Sequence, residues 1–174
     1  MPASFELASS GRARCRGCGQ PIGKGELRLG DRLPNPFADG EMTHWFHPVC
    51  AAYKRPEPLL EALGAAPPEL RDRERLERVA RRGIAHPRVP RIDGAEHAPT
   101  SQAKCRHCHE PINRGDWRIR LVFHQDGRFE PAGFIHVACR AAYFETPDVL
   151  DPVLQFSPKL TDAERAELEN LLQP

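Results

Sequence analysis

The stretch Cys15-Arg16-Gly17-Cys18, with His47-Pro48-Val49-Cys50 further along the chain, decides the fold of this 174-residue protein. It recurs as Cys105-Arg106-His107-Cys108 and His136-Val137-Ala138-Cys139, so the chain holds two copies of the pattern C-x2-C-x(27 or 28)-H-x2-C. All six cysteines of the chain belong to these copies. An internal repeat of this kind indicates two similar structural units.

Each copy has the ligand set of a structural zinc site. Two cysteines in a tight turn and a His–Cys pair three residues apart supply four tetrahedral ligands, and three thiolates with one imidazole leave no open position for water. Buried free thiols beside a histidine are the alternative, which the recurrence of the whole pattern disfavours. The sequence therefore predicts two structural zinc ions, bound by Cys15, Cys18, His47 and Cys50 and by Cys105, Cys108, His136 and Cys139.

Each copy also predicts a small α+β unit around its ion. Apolar and polar residues alternate over residues 26–29 and 117–123, as they do in half-buried strands. The turns Ala38-Asp39-Gly40 and Gln125-Asp126-Gly127 predict hairpin reversals. We therefore expect two treble-clef-like fingers, each made of a cysteine knuckle, a β-hairpin and a short helix that carries the last two ligands.

The remaining segments set the predicted domain boundaries. Residues 56–64 and 69–82 have helical patterns, and residues 84–99 are rich in proline. Thr161-Asp162-Ala163-Glu164 has the pattern of a capping box, and the helix after it has Leu168, Leu171 and Leu172 as its apolar stripe. The sequence predicts a first finger at 1–56, a helical and proline-rich linker at 57–97, a second finger at 98–147 and an acidic helical tail at 148–174.

Composition and charge restrict the classes of function. The chain has 28% charged and 40% hydrophobic residues, no apolar run long enough for a membrane span and no secretory signal at residues 1–10, so we expect a cytoplasmic protein without a membrane partner. Its net charge is only +1, but the predicted fingers carry +3 and +2 and the tail −4. Arginine outnumbers lysine 21 to 4, which is typical of GC-rich bacterial genomes.

The first copy resembles the zinc finger of poly(ADP-ribose) polymerases, which also occurs on the eukaryotic DNA ligase of the third type. Over about 50 residues it has the lead-in Ser9-Ser10-Gly11-Arg12-Ala13-Arg14, the strand Gly25-Glu26-Leu27-Arg28-Leu29 and the turn His44-Trp45-Phe46-His47. The second copy keeps the ligands, but Ser101-Gln102-Ala103-Lys104 replaces the lead-in. The resemblance implies tandem PARP-type fingers without the catalytic domain, so we expect no enzyme activity and no catalytic residues.

The same resemblance implies recognition of broken DNA. A strand break exposes the flat face of a terminal base pair, and an aromatic side chain that stacks on a base contributes about 1–3 kcal/mol. Basic residues beside the hairpin tip hold phosphates, so little sequence preference is expected. The implied partner is damaged double-stranded DNA at a nick, gap or end, with repair proteins as further partners and a nucleoid-associated location when DNA is bound.

Matched to this sequence, the implied DNA-binding residues fall in both fingers. In the first finger the stacking residues are Phe37 and Met42, and the phosphate ligands are Arg12, Arg14, Arg16, Lys24, Arg28 and Arg32. In the second finger the stacking residue is Phe129, and the phosphate ligands are Lys104, Arg106, Arg114, Arg118 and Arg120. Arg12 and Arg28 lie in the motifs that match the family best.

Two other functions compete with break recognition. A protein-interaction adaptor, in which zinc only stabilises the fold, is favoured by the near-neutral total charge and the acidic tail. A zinc-dependent nuclease is disfavoured, because both predicted ligand sets are full and no cluster of Asp, Glu and His recurs.

Overall fold

The computed structural model describes residues 3–174, which divide into two compact units at the boundary between Ala85 and His86. Within this range each unit contains one copy of the cysteine–histidine repeat, a three-stranded antiparallel sheet and three α-helices. The prediction of a small α+β protein with two zinc fingers is thus confirmed. No helix in the described range is long and apolar enough to cross a membrane.

The first unit is built on the strands β1 (Ser4–Leu7), β2 (Leu27–Pro34) and β3 (Glu41–Phe46). Leu29 of β2 and Phe46 of β3 lie directly opposite each other, and both side chains are fully buried in the core. Gly30 lies against Trp45, where a β-carbon would be 2.7 Å from the indole ring. The absence of a side chain at Gly30 therefore lets Trp45 lie close to the strand.

Three helices complete the first unit: α1 (Pro48–Lys54), α2 (Pro56–Leu63) and α3 (Arg73–Ala85). The first two begin with proline, whose fixed φ suits the first helical position. α3 contacts both of the other helices and buries Leu76 and Ala80. Residues 57–85 are therefore part of the first unit, in contrast to the linker that the sequence predicted at 57–97.

The sheet of the second unit contains β4 (Ile92–His97), β5 (Trp117–Gln125) and β6 (Arg128–His136). Ile119 and Ile135 lie directly opposite each other and are fully buried, as Leu29 and Phe46 are in the first unit. β4 pairs with β5, although its residues were assigned to the linker. β4 is short and contains a glycine, Gly94, so its sequence does not show the alternation of apolar and polar residues that indicates a strand.

The residues after the second histidine–cysteine pair form α4 (Arg140–Phe144), α5 (Leu150–Gln155) and α6 (Asp162–Leu171). α5 contacts β4, and just after this helix the Ser157 hydroxyl accepts a hydrogen bond from the Ala95 amide at 2.9 Å. Gly94 has a φ of +95°, and a β-carbon there would collide with the Phe156 carbonyl oxygen. Close backbone contact thus holds the end of α5 against the sheet.

The predicted capping box begins α6. Thr161 Oγ1 accepts from the Glu164 amide, and a Glu164 carboxylate oxygen accepts from the Thr161 amide, both at 3.1 Å. Leu168 and Leu172 are fully buried, whereas Leu171, expected in the same apolar stripe, is 44% exposed. The predicted tail is therefore helical, but it is an integral part of the second unit's core.

Candidate zinc centres and nucleic-acid interface

The four predicted ligands of the first zinc centre lie together. The sulfur atoms of Cys15, Cys18 and Cys50 and a ring nitrogen of His47 are within 4.8 Å of one another. His47 Nδ1 lies 3.5 Å from Cys18 Sγ, and the His47 amide donates a hydrogen bond to Cys15 Sγ at 3.3 Å. The cysteine knuckle closes through the Gly19 amide, which donates to the Cys15 carbonyl at 2.8 Å. The knuckle supplies Cys15 and Cys18, and His47 and Cys50 come from the start of α1, where His47 is the N-cap residue.

The second centre has the same composition and is formed by Cys105, Cys108, His136 and Cys139. His136 Nδ1 lies 3.3 Å from Cys108 Sγ, and Nε2 lies 3.1 Å from the Pro111 carbonyl. A proton on Nε2 donated to that carbonyl leaves Nδ1 free to bind a metal. Cys139 ends a 3-10 turn, Val137–Cys139, and does not lie in the short α-helix that the sequence predicted.

Hydrogen bonds among the ligands perturb the protonation of the first centre. Those with Cys18 and Cys50 lower the pKa of Cys15, while those with Cys15 and Cys18 raise the pKa of Cys50. Hydrogen bonds with the Cys15 and Cys18 sulfurs raise the pKa of His47 to about 10. Zinc binding requires deprotonated thiols and a neutral imidazole, so it releases protons from this centre.

The second centre is more open to solvent, because Cys108 is exposed and of its cysteines only Cys105 is buried. Burial opposes ionisation of Cys105, but hydrogen bonds from nearby backbone amides outweigh it and lower the pKa of Cys105 to about 7. Burial, together with the Cys105 sulfur, raises the pKa of Cys139 to about 12. Three sulfurs and one imidazole in each centre fit a closed tetrahedral zinc shell, and the protein has two structural zinc ions of this type.

The hairpin of the first unit ends in an ordered loop between β2 and β3, residues 35–40, which we call the tip loop. The Asn35 side-chain oxygen accepts a hydrogen bond from the Phe37 amide at 2.9 Å, and the Asn35 amide donates to the Gly40 carbonyl at 3.0 Å. These bonds hold Phe37 with 75% of its surface exposed. Met42 lies on β3 opposite Leu33 and is half-buried, so Phe37 dominates the apolar surface of the tip.

The predicted phosphate ligands of the first unit divide into two groups. The exposed ones are Arg12, Arg14, Arg16, Lys24 and Arg32. Arg28 is different, because its guanidinium carbon lies 3.6 Å from the centre of the Trp45 ring and its Nη2 lies 2.8 Å from Glu6 Oε1. Only 8% of its side chain is exposed, so Arg28 is a stacked and ion-paired residue instead of the solvent-facing cation that the sequence suggested.

The second unit repeats this division. Lys104, Arg106 and Arg114 are exposed. The Arg118 guanidinium carbon lies 3.5 Å from the centre of the Phe134 ring, and Arg120 donates to the Asp93 carbonyl at 2.8 Å. Phe129, the predicted stacking residue, is half-buried, and its ring centre lies 4.9 Å from that of His124. Arg118, Arg120 and Phe129 are therefore engaged within the unit.

Sequence reasoning missed one residue that supports the first centre. The Lys54 side chain is buried, and its Nζ donates to the Gly17 carbonyl at 3.0 Å, which ties α1 to the cysteine knuckle. A lysine four residues after the ligand Cys50 lies on the same helix face, and this spacing was the available signal. His44, three residues before the ligand His47, is also buried, and burial lowers its pKa.

The family model described as "Poly(ADP-ribose) polymerase and DNA-Ligase Zn-finger region" matches residues 6–84. The match ends one residue before the boundary of the first unit, so the family region includes α2 and α3 as well as the zinc centre. The family region therefore includes helices that the sequence analysis had assigned to a linker.

Curated relatives extend the similarity into the second unit. The chain is 31% identical to poly [ADP-ribose] polymerase 1 of Gallus gallus in an alignment 133 residues long that covers 68% of this chain and 13% of the relative. It is 28% identical to poly [ADP-ribose] polymerase of Sarcophaga peregrina in an alignment 162 residues long that covers 81% of this chain and 16% of the relative. The matched part of these polymerases is thus their zinc-finger region, without the catalytic domain. Residues 6–84 are thus a zinc-finger region of the poly(ADP-ribose) polymerase and DNA ligase family.

Proposed function

We propose that this chain binds DNA at strand breaks, with Phe37 stacking on the exposed face of a terminal base pair. The observation that carries the proposal is the tip loop, because it is an ordered hairpin end that presents an aromatic ring with 75% of its surface in solvent. With three quarters of its surface in solvent, the Phe37 ring contributes little burial energy to folding, and aromatic residues of this kind are enriched among those that dominate binding energy. Base stacking is sequence-tolerant, since every base has a π face.

The charge of the first unit supports a phosphate-rich partner. Its residues 1–85 include 14 basic and 11 acidic side chains, a net charge of +3. Arg12, Arg14 and Arg16 are exposed along the lead-in and the knuckle. Contacts of these residues with phosphates position the protein on a duplex without reading its sequence. We therefore propose a partner defined by a broken strand, and a role in DNA repair through that partner.

The proposal is tested by fluorescence anisotropy of the zinc-loaded protein with a nicked duplex, a blunt-ended duplex, a duplex without breaks closed by loops at both ends, and a single strand, at two salt concentrations. We expect tighter binding to the broken duplexes, and affinity that falls with salt because counterions are released from the phosphates. Phe37→Ala weakens this binding about 5- to 150-fold, the equivalent of one stacking contact.

The matched control is Leu7→Ala, which also removes an exposed apolar side chain of the first unit. Leu7 is 53% exposed and pairs with Leu27 at the start of β2, whereas the tip loop follows the end of that strand. Its substitution leaves DNA affinity unchanged. Equal or absent binding to all four DNAs would contradict break recognition and favour the protein-interaction adaptor.

A further inference from the structure

The hairpin tips of the two units have different structures. The tip loop of the first unit has six residues, 35–40. In the second unit β5 ends at Gln125 and β6 begins at Arg128, and these two residues are paired directly. Only Asp126 and Gly127 connect the strands, with φ values of 51° and 75°. This is a tight two-residue turn, in which there is no room for a projecting loop.

The chemistry of this tight turn is polar. Gln125, Asp126 and Arg128 are exposed, and Asp126 adds a negative charge where a base stack flanked by phosphates would have to approach. Phe129 follows on β6 and packs edge-on against the His124 ring with 63° between the planes. The second unit therefore offers no counterpart of the exposed Phe37 ring at its tip.

The second unit also has a less positive net charge than the first. Its residues 86–174 include 11 basic and 13 acidic side chains, a net charge of −2 against +3 for the first unit. Its exposed candidates for phosphate contact are Lys104, Arg106 and Arg114. Arg106 lies along Gly133 of β6, where a β-carbon would be 3.0 Å from its Cγ, so this side chain is placed beside the knuckle and far along the strand from the Asp126 turn.

We infer that each chain caps a single base-pair face, through Phe37, and that its preferred substrate is a DNA end. The second unit contributes phosphate contacts from Lys104, Arg106 and Arg114. A DNA end already exposes one base-pair face. At a nick the two faces are stacked on each other, so a protein that caps only one of them loses the stacking energy of that base step. The lost base step corresponds to about tenfold in affinity. This inference rests on the proposed function and names the type of break.

The test compares three DNAs of the same sequence with the zinc-loaded full chain. One is a hairpin with a single blunt end, the second is a dumbbell closed by loops at both ends with one nick, and the third is the sealed dumbbell. 2-Aminopurine at the terminal pair and on each side of the nick reports stacking. We expect binding to the one-ended hairpin to be about tenfold tighter than to the nicked dumbbell, and a fluorescence change that Phe37→Ala abolishes.

Phe129→Leu is the counterpart in the second unit, chosen because leucine preserves an apolar side chain at a half-buried position. This variant keeps the full 2-aminopurine response, and its zinc content verifies that it is folded. Tighter binding to the nicked dumbbell, a response that survives Phe37→Ala, or one that is lost with Phe129→Leu would each overturn the single-cap inference. If the sealed dumbbell binds as tightly as both broken DNAs, the proposed function fails as well.

Discussion

Arg28 lies directly over the Trp45 ring, with its guanidinium carbon 3.6 Å from the ring centre, and its Nη2 forms an ion pair with Glu6 at 2.8 Å. Arg118 repeats this relationship in the second unit, where Phe134 supplies the ring and Glu96 the carboxylate. Both arginines are buried, so each guanidinium contributes to the packing of its sheet in addition to its charge.

We predict that Arg28→Ala lowers the free energy of unfolding of the first unit by about 1–3 kcal/mol, because it removes the stacked guanidinium and leaves Glu6 without its partner. Urea denaturation of the zinc-loaded protein measures this change. The comparison is Arg12→Ala, an exposed arginine of the lead-in, for which we expect a change within about 0.5 kcal/mol together with weaker DNA binding. Equal stability of the two variants would contradict a structural role for Arg28.

Removal of one zinc ligand should affect one unit. Cys50→Ser leaves an incomplete shell in the first unit, and binding of Zn²⁺ contributes about 10–16 kcal/mol apparent in small zinc peptides, so we expect this unit to unfold. The zinc content falls from two ions to one, which metal analysis measures, and amide NMR signals of the second unit persist. Cys139→Ser should give the reciprocal result. Loss of both ions from either variant would show that the units do not fold separately.

Protonation of His44 should destabilise the first unit in acid. Burial, followed by the charge of Arg16, lowers the pKa of His44 below its usual value of 6.5 in the folded state. The unfolded state therefore binds more protons, and stability falls as the pH drops below 6.5, by at most about 1.4 kcal/mol per pH unit. His44→Gln should remove this part of the pH dependence.

The measurement is the stability difference between wild type and His44→Gln at pH 7.5 and pH 5.5, since protonation of the zinc ligands affects both proteins equally. A difference that does not change with pH would show that His44 titrates normally in the folded protein.

Gly94 provides a test of how α5 docks on the sheet. Gly94→Ala should destabilise the second unit by about 2–4 kcal/mol, because its φ of +95° disfavours a side chain and the β-carbon collides with the Phe156 carbonyl. Gly115→Ala is the control, since Gly115 has a similar φ of +89° but nothing within 4 Å of the new β-carbon. It should cost about 1 kcal/mol, the conformational cost alone. Equal effects of the two substitutions would exclude the steric contribution.

The zinc ligands and the hairpins could be predicted from the sequence because their determinants are local. The spacings Cys15 to Cys18 and His47 to Cys50 each place two zinc ligands next to each other in the tetrahedron, whatever the rest of the chain does. The pairing of β4 with β5 depends on residues far apart in sequence, and an arginine such as Arg28 on an alternating strand is usually solvated. The burial of Arg28 depends on a ring from the neighbouring strand, and the alternation of residues within one strand gives no information about such a contact.

The burial of Leu168 and Leu172 in the second unit sets the order in which the two units can fold during synthesis. The first unit is complete once residue 85 has left the ribosome, so its zinc centre and its tip loop can form while the rest of the chain is still being translated. The second unit cannot close its core until residue 172 has emerged, which at bacterial or eukaryotic elongation rates takes on the order of ten seconds longer. During that interval the core around Ile119 and Ile135 lacks Leu168 and Leu172, so the nascent second unit still exposes apolar surface after the first unit is able to fold.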